Sequence, residues 1–236
     1  VAWVGWRGAF WIIGAVTLLG AALCLAVVRD FPEGASGASE RAPGMREVLA
    51  GTVSVLRNPH TWPPFLSFFF LYAAMGNLML WVVPFLRDVY GLTMTQAAVY
   101  ATATPLALLV SGPLTGWVSD TALGRRKLPY VVLSVALFAL WCALAGTAGA
   151  LPLAGVFALL FGMGAVGSAF VLTWPIGREV NPPHLAGSAV AAVNLGGFVG
   201  AALTQGPIGA VLDARWAGVL VDGARRTSWY IDYEHF

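Results

Sequence analysis

The side chains able to hold a polar solute in this chain are mostly amides, hydroxyls and aromatic rings, set inside long apolar runs. Asn77, Asn194 and Gln205 stand out, because an amide cannot satisfy itself within its own helix as Ser and Thr can. At membrane depth such groups face a bundle interior or a cavity, since lipid cannot hydrate them. The plainer alternative is an interhelical hydrogen bond, worth about 0.6 kcal/mol on average. The same runs contain no Asp, Glu, Lys, Arg or His. An intramembrane enzyme needs a nucleophile with a base, or a pair of metal ligands. Catalytic residues, metals and cofactors are therefore not expected, and the chain does not read as an enzyme. His60, His184 and His235 lie in loops without forming a ligand pair, and Cys24 and Cys142 read as small apolar fillers.

The elements that must position these groups follow from composition. Of 236 residues, 58% are hydrophobic and 10% are charged, against about 25% charged in a soluble domain. Six runs lack any charged residue: 8–28, 65–86, 95–118, 128–148, 151–175 and 186–212. Each is long enough to cross a bilayer as a helix, and none carries the polar stripe of a soluble helix. Barrel strands would be about ten residues long with alternating polarity. The first run has no small-residue cleavage pattern and exceeds a signal-peptide core. A net charge of +2 without a basic stripe gives no reason to expect a nucleic-acid partner. The sequence implies an all-α integral membrane protein with six transmembrane helices.

Connections 87–94, 119–127, 149–150 and 176–185 are short, so neighbouring spans pack antiparallel. Residues 29–64 differ: Pro32 to Glu40 reads as flexible linker, and 46–57 as a short surface helix. Lys and Arg near span ends divide eight to five, placing residues 29–64 and 119–127 in the cytoplasm. Trp62, Trp81, Trp174 and Trp216 sit near span ends as interfacial aromatics do. Residues 213–236 are interrupted by charge and read as an extracytoplasmic loop. The chain starts at Val1 rather than Met, so the expectation is a piece of a longer polypeptide.

Gly112-Pro113-Leu114-Thr115-Gly116-Trp117-Val118-Ser119-Asp120, followed by Gly124-Arg125-Arg126-Lys127, resembles the cytoplasmic loop signature of the major facilitator superfamily. Gly116 and Asp120 match its first part; Gly124, Arg125 and Arg126 match its last. Thr121 replaces an arginine, and one extra residue precedes Gly124, which suits the degenerate second copy of the motif. Gly5-Trp6-Arg7 resembles the start of the family's sixth helix, and Asn194-Leu195-Gly196-Gly197 with Gln205-Gly206-Pro207 its eleventh. The resemblance implies helices six to eleven of a twelve-helix carrier. Residues 1–28 are then the last helix of the N-terminal half, 29–64 the cytoplasmic inter-half linker, and 65–212 the C-terminal half. The first five helices, the rest of the N-terminal half of the same polypeptide, would be its missing partner, and the twelfth helix would follow 213–236.

Read physically, Gly112 and Gly116 leave one helix face bare for a close neighbour. Asp120 can cap an adjacent helix, and Arg125, Arg126 and Lys127 can hold carbonyls or lipid phosphates. Such a latch would favour one of two bundle orientations; the simpler reading makes the three cations topology determinants. Gly162, Gly164, Gly167, Gly196, Gly197 and Gly200 look like packing seams, and Pro84, Pro105, Pro113 and Pro207 should kink or unwind their helices. In the family, the seventh, eighth, tenth and eleventh helices border a central cavity. The resemblance therefore implies Tyr72, Asn77, Trp81, Tyr100, Thr104, Thr173, Asn194 and Gln205 as cavity candidates, with Thr102, Ser168 and Thr204 beside them.

The expected function is a secondary active transporter moving a small solute across the cytoplasmic (inner) membrane by alternating access, driven by an ion or counter-solute gradient. Its partners are a small-molecule substrate and membrane lipids. The absence of buried charge favours an apolar or weakly charged solute. The alternative is a non-transporting polytopic receptor or scaffold, which would tolerate leucine at Asn77, Asn194 and Gln205.

Overall fold

The computed structural model describes residues 5–28, 44–214, 216–221 and 224–227. The flexible-linker reading of 32–40, and the last residues of the 213–236 loop, lie outside them. The chain divides into two units, Val1–Gly44 and Met45–Phe236. In the first unit, α1 (Gly5–Val27) is a 23-residue helix with Arg7 at its start and no other charge. Thr17 hides its hydroxyl by donating to the Ile13 carbonyl at 2.9 Å.

The second unit holds α2 (Met45–Arg57), α3 (Trp62–Tyr90), α4 (Met94–Ala101), α5 (Ala103–Trp117), α6 (Lys127–Gly146), α7 (Leu153–Gly167), α8 (Thr173–Glu179) and α9 (Ala186–Ala214). Among the described residues six stretches are long and apolar enough to cross a membrane: Phe10–Val27, Pro59–Tyr90, Met94–Ala122, Lys127–Gly146, Leu153–Glu179 and Pro183–Ala214. They bear out the six expected spans, several running a few residues further. α2 lies where the short surface helix was expected, with Gly51 and Val55 packed against Leu185, Ser188 and Ala189.

Two spans are not single helices. The third breaks at Thr102, where Pro105 cannot donate to the Ala101 carbonyl and Thr102 bonds back to Val99 through both N–H and hydroxyl. The fifth tightens into a 3₁₀ turn at Ser168–Leu172 between α7 and α8. Pro175, which the sequence reading did not single out, removes the donor that would bond Val171. The helices continue through Pro84, Pro113 and Pro207, each forgoing one internal bond without ending.

Helix ends are set locally. Gly91 stops α3 with φ +63°, returning its N–H to the Arg87 carbonyl. Thr93 and Gln96 then form a reciprocal capping box that starts α4. After α9, Trp216–Val221 (β1) pairs antiparallel with Ala224–Thr227 (β2), a small ribbon that the loop reading did not anticipate.

The core runs along α3, with Leu71, Met75, Leu78, Val82 and Leu86 meeting Leu137 of α6 and Val156, Leu160 and Met163 of α7. Outward positions are equally apolar: Leu109 is 72% exposed, Val110 67% and Phe138 70%. A soluble protein would not leave so broad an apolar belt uncovered.

Glycines bring the helices together, though not at Gly112 and Gly116. A Cβ at either would meet no described atom within 4 Å, so the expected close approach is not made there. It is made at Gly164, where a Cβ would overlap the Thr104 backbone, and at Gly197 and Gly200, where it would overlap Phe68 and the Phe69 backbone. α5 thus presses on α7, and α3 on α9.

Candidate functional site

The α3–α9 seam carries an aromatic cluster. Phe68 is buried with Gly197 against its ring. Around it stand Tyr72 at 5.2 Å, Phe170 at 5.7 Å and Trp174 at 5.8 Å between ring centroids. Tyr72 also meets Phe170 at 6.2 Å and Phe198 of α9 at 5.5 Å, edge to face. The 3₁₀ turn and α8 deliver Phe170 and Trp174 one turn apart. Tyr72, Phe170 and Trp174 are half-buried and Phe198 is 55% exposed, so the cluster ends in an open aromatic face. Trp174 Nε1 is buried without a partner among the described residues.

Asn194 and Gln205 border the same seam. Asn194, Phe198 and Gln205 fall on one stripe of α9, at spacings of four and seven. Gln205 reaches toward Gly76, one turn beyond Tyr72 on α3. Both amides are half-buried and make no hydrogen bond among the described residues. The face therefore combines rings with free amide groups, and holds no formal charge.

Asn77 and Trp81 lie elsewhere. Nine residues separate Tyr72 from Trp81, which at 100° per residue puts them on opposite flanks of α3. Asn77 is buried and its Nδ2 donates to the Ala73 carbonyl at 2.8 Å and to Thr204 Oγ1 at 2.7 Å. Thr204 in turn donates to the Gly200 carbonyl at 2.8 Å. This is the interhelical bond that the plainer reading anticipated, yet Asn77 Oδ1 stays buried and unpartnered.

The remaining candidates are taken up by packing contacts. Thr104 is buried and donates to the Leu160 carbonyl at 3.1 Å. Thr173 is fully buried and donates to the Phe170 carbonyl at 2.6 Å. Ser168 is buried with its hydroxyl 2.7 Å from Thr115. Tyr100 stacks edge-on to Phe157 at 6.3 Å. The eight candidates thus fall into separate groups, with Tyr72, Asn194 and Gln205 sharing a face.

At the α2 end of the bundle the loop signature forms an ionic junction. α5 unwinds into a wide π-type turn, Val118–Ala122, and the chain reverses at Gly124 with φ +55°. Arg126 then places Nη1 at 2.6 Å from Asp120 Oδ1 and Nε at 2.6 Å from Glu179 Oε1 at the end of α8. Burial pulls the Arg126 pKa down, but the bonds and charges of Glu179 and Asp120 outweigh it, leaving the pKa raised. Asp120 therefore pairs with Arg126 rather than with helix amides. Arg125 points outward while its carbonyl accepts from Ser119 at 3.3 Å, and nothing described approaches Gly116. A cavity of about 810 Å³ opens beside this junction, lined by Ser67, Asp120, Arg126, Lys127, Tyr130 and Glu179.

Beside it, Asn58 Nδ2 donates to the Val180 carbonyl at 2.8 Å and to Asn181 Oδ1 at 3.0 Å. Asn181 Nδ2 donates to Thr61 Oγ1 at 2.9 Å and to the Gly177 carbonyl at 2.8 Å. This buried clasp ties the start of α3 to the end of α8. Sequence reasoning missed it, along with Glu179, Phe170 and Phe198. The four-residue spacing of Phe170 and Trp174, and of Asn194 and Phe198, was the available signal.

Six apolar helices and an apolar outer belt describe a multi-pass membrane protein. The family model described as Major Facilitator Superfamily matches residues 1–205, most of the chain. The chain belongs to the major facilitator superfamily of membrane transporters.

Proposed function

We propose that this chain forms part of a secondary active transporter, which moves a small apolar or weakly charged solute across the cytoplasmic membrane by alternating access. α1 belongs to the N-terminal lobe, residues 29–64 are the cytoplasmic linker, and α3 to α9 belong to the C-terminal lobe. The observation that carries the reading is the open face of Tyr72, Phe170, Trp174 and Phe198, bordered by Asn194 and Gln205. Rings supply contact area at low entropic cost, while the amides orient a neutral solute. With no ionised side chain on this face, coupling to an ion falls to the opposing lobe.

The Asp120–Arg126–Glu179 junction acts as a latch. It holds the α5–α6 turn to the end of α8 in one lobe arrangement, and its exposed carboxylates can exchange partners in the other. The test is flux in vesicles reconstituted with the full carrier, across a broad panel of neutral aromatic and aliphatic solutes. Saturable uptake driven by an imposed ion gradient, weakened by Trp174→Leu, is the expected result. No gradient-driven flux with any solute would overturn the reading.

A further inference from the structure

α2 carries two apolar faces, and the bundle covers one of them. Gly51 and Val55 are buried, Gly51 against Leu185 and Val55 with Ala189 and Ala192. Further round the helix, Met45, Leu49 and Val53 follow one another at spacings of four, and half-buried Leu56 continues the row. The first three are 74%, 57% and 47% exposed. At about 100° per residue, Arg46 and Arg57 fall along one border of this stripe, while Glu47 and Ser54 fall on the opposite side. Neither arginine makes an ion pair among the described residues.

The level of α2 decides what the stripe meets. Val55 packs beside the opening turns of α9, within Pro183–Ala214, a stretch apolar enough to cross a membrane. Trp62, the first residue of α3, donates its indole N–H to the Leu56 carbonyl at 3.0 Å and is itself 44% exposed. Tryptophan collects where hydrocarbon gives way to headgroups. α2 thus ends where two spans enter the bilayer. In water the row of apolar side chains would stay uncovered, whereas acyl chains cover it. A stripe bordered by cations, with its carboxylate turned away, carries the charge pattern that an anionic lipid surface complements. Arginine stems lie along an apolar border while their guanidinium groups reach phosphates.

We propose that α2 docks on the bilayer, with Met45, Leu49, Val53 and Leu56 entering the acyl boundary and Arg46 and Arg57 binding the phosphates of anionic phospholipids. The last turn of α2 leads into Asn58, whose amide donates to the Val180 carbonyl and to Asn181. The docked helix therefore anchors the chain directly before α3. This surface needs only the membrane spans and stands without the transport assignment.

Nitroxide labels on the full chain in nanodiscs test this, in a background carrying Cys24→Ser and Cys142→Ser. Leu49→Cys and Val53→Cys each put a label on the stripe, and Ser54→Cys puts one on the polar side. Electron paramagnetic resonance reads collisions with oxygen, which concentrates among acyl chains, and with a nickel chelate, which stays in water. In discs of phosphatidylcholine with phosphatidylglycerol, the oxygen-to-nickel ratio at both stripe labels should be several times that at the Ser54→Cys label. Nickel reaches the stripe only when the helix lifts, so its collision rate there reports the lifted fraction. Arg46→Gln and Arg57→Gln should each raise that rate about fivefold, the effect of one cation beside an anionic surface. In phosphatidylcholine alone the same substitutions should change nothing. Nickel access at the stripe equal to that at the polar side would place the stripe in water and overturn the proposal. Stripe labels shielded from both reagents would place it against protein, with the same consequence. Rates unmoved by both arginine substitutions in the anionic discs would overturn the assignment to anionic lipid. Two stripe positions keep the test decisive should one label disturb folding. No readout depends on transport, so failed flux and failed docking are distinct results.

Discussion

Arg126 and Glu179, 53 residues apart in sequence, meet at 2.6 Å and fasten the turn before α6 to the last turn of α8. The same guanidinium holds Asp120 at 2.6 Å, so one cation with 21% side-chain exposure bridges two carboxylates that are about half exposed. Such a bridge orders three chain segments at once. Its strength is moderated by solvent around the acids, as for other exposed pairs.

Removing the cation leaves Asp120 and Glu179 facing each other. Arg126→Ala should lower unfolding stability by about 1–2 kcal/mol, more than Glu179→Gln, which removes one of two partners. Thermal unfolding in detergent checks this, and added salt should narrow the difference. The pH dependence has a definite sign. A raised pKa on a base contributes stability that is complete below its unfolded value and is lost as pH rises through the folded value. That window lies at the guanidinium's strongly alkaline range. The Arg126 contribution should therefore stay flat between about pH 6 and pH 10, and a decline within that interval would contradict the assignment.

The α3–α9 seam depends on glycines that leave no room for a side chain. Gly200→Ala sets a Cβ into the Phe69 backbone, which cannot rotate away, so α9 must shift. The cost should be about 1–3 kcal/mol, or failure to assemble. Gly206→Ala, one turn and a half further on, meets open space and should be neutral or slightly stabilising. Equal melting temperatures for the two variants would refute the packing account.

The six spans were legible because charge is excluded from runs long enough to cross a bilayer, and that signal needs no tertiary information. The boundaries differ by a few residues where helices extend past the apolar core, as α9 does to Ala214. Less legible was the break in the fifth span. Pro175 lies inside an apolar run, and the 3₁₀ turn Ser168–Leu172 that precedes it leaves no mark in the hydropathy. Heights along the helices were readable for Tyr72 and Trp81, and so was their separation around α3. Which neighbour each flank meets was not: α9 crosses α3 so that Phe198 meets Tyr72 while Gly209 meets Trp81, and Trp141 of α6 shares a cavity with Trp81. The Glu179 partner of Arg126 was hidden for the same reason. Loop spacing announces Asp120 and Arg126, whereas Glu179 arrives from another helix.

Asn181 is the hub of the clasp beside that junction. It is 8% exposed and engages Asn58, Thr61 and the Gly177 carbonyl. Asn181→Leu leaves those partners buried without it and should cost about 2 kcal/mol or more. Asn181→Asp should not rescue, because the carboxylate cannot donate to Thr61 or to the Gly177 carbonyl. Urea unfolding followed by tryptophan emission measures both variants, and a wild-type midpoint for Asn181→Leu would show the network to be dispensable.

On the proposed transport face, two ring removals test the contact with the solute. Trp174→Leu removes a half-buried ring that packs on Phe68 and Phe170. The solute loses that contact in both its bound and moving states, so KM should rise about fivefold with little change in kcat. Phe198→Leu removes an exposed ring that packs on Tyr72 without filling the core. It should raise KM by a similar factor while leaving the melting temperature within about one degree, since exposed substitutions rarely disturb stability. Thr173→Val provides the contrast. Its hydroxyl is spent on the Phe170 carbonyl and is fully buried, so stability falls while KM is preserved. A KM unchanged in Trp174→Leu and Phe198→Leu but raised in Thr173→Val would move the solute away from this face.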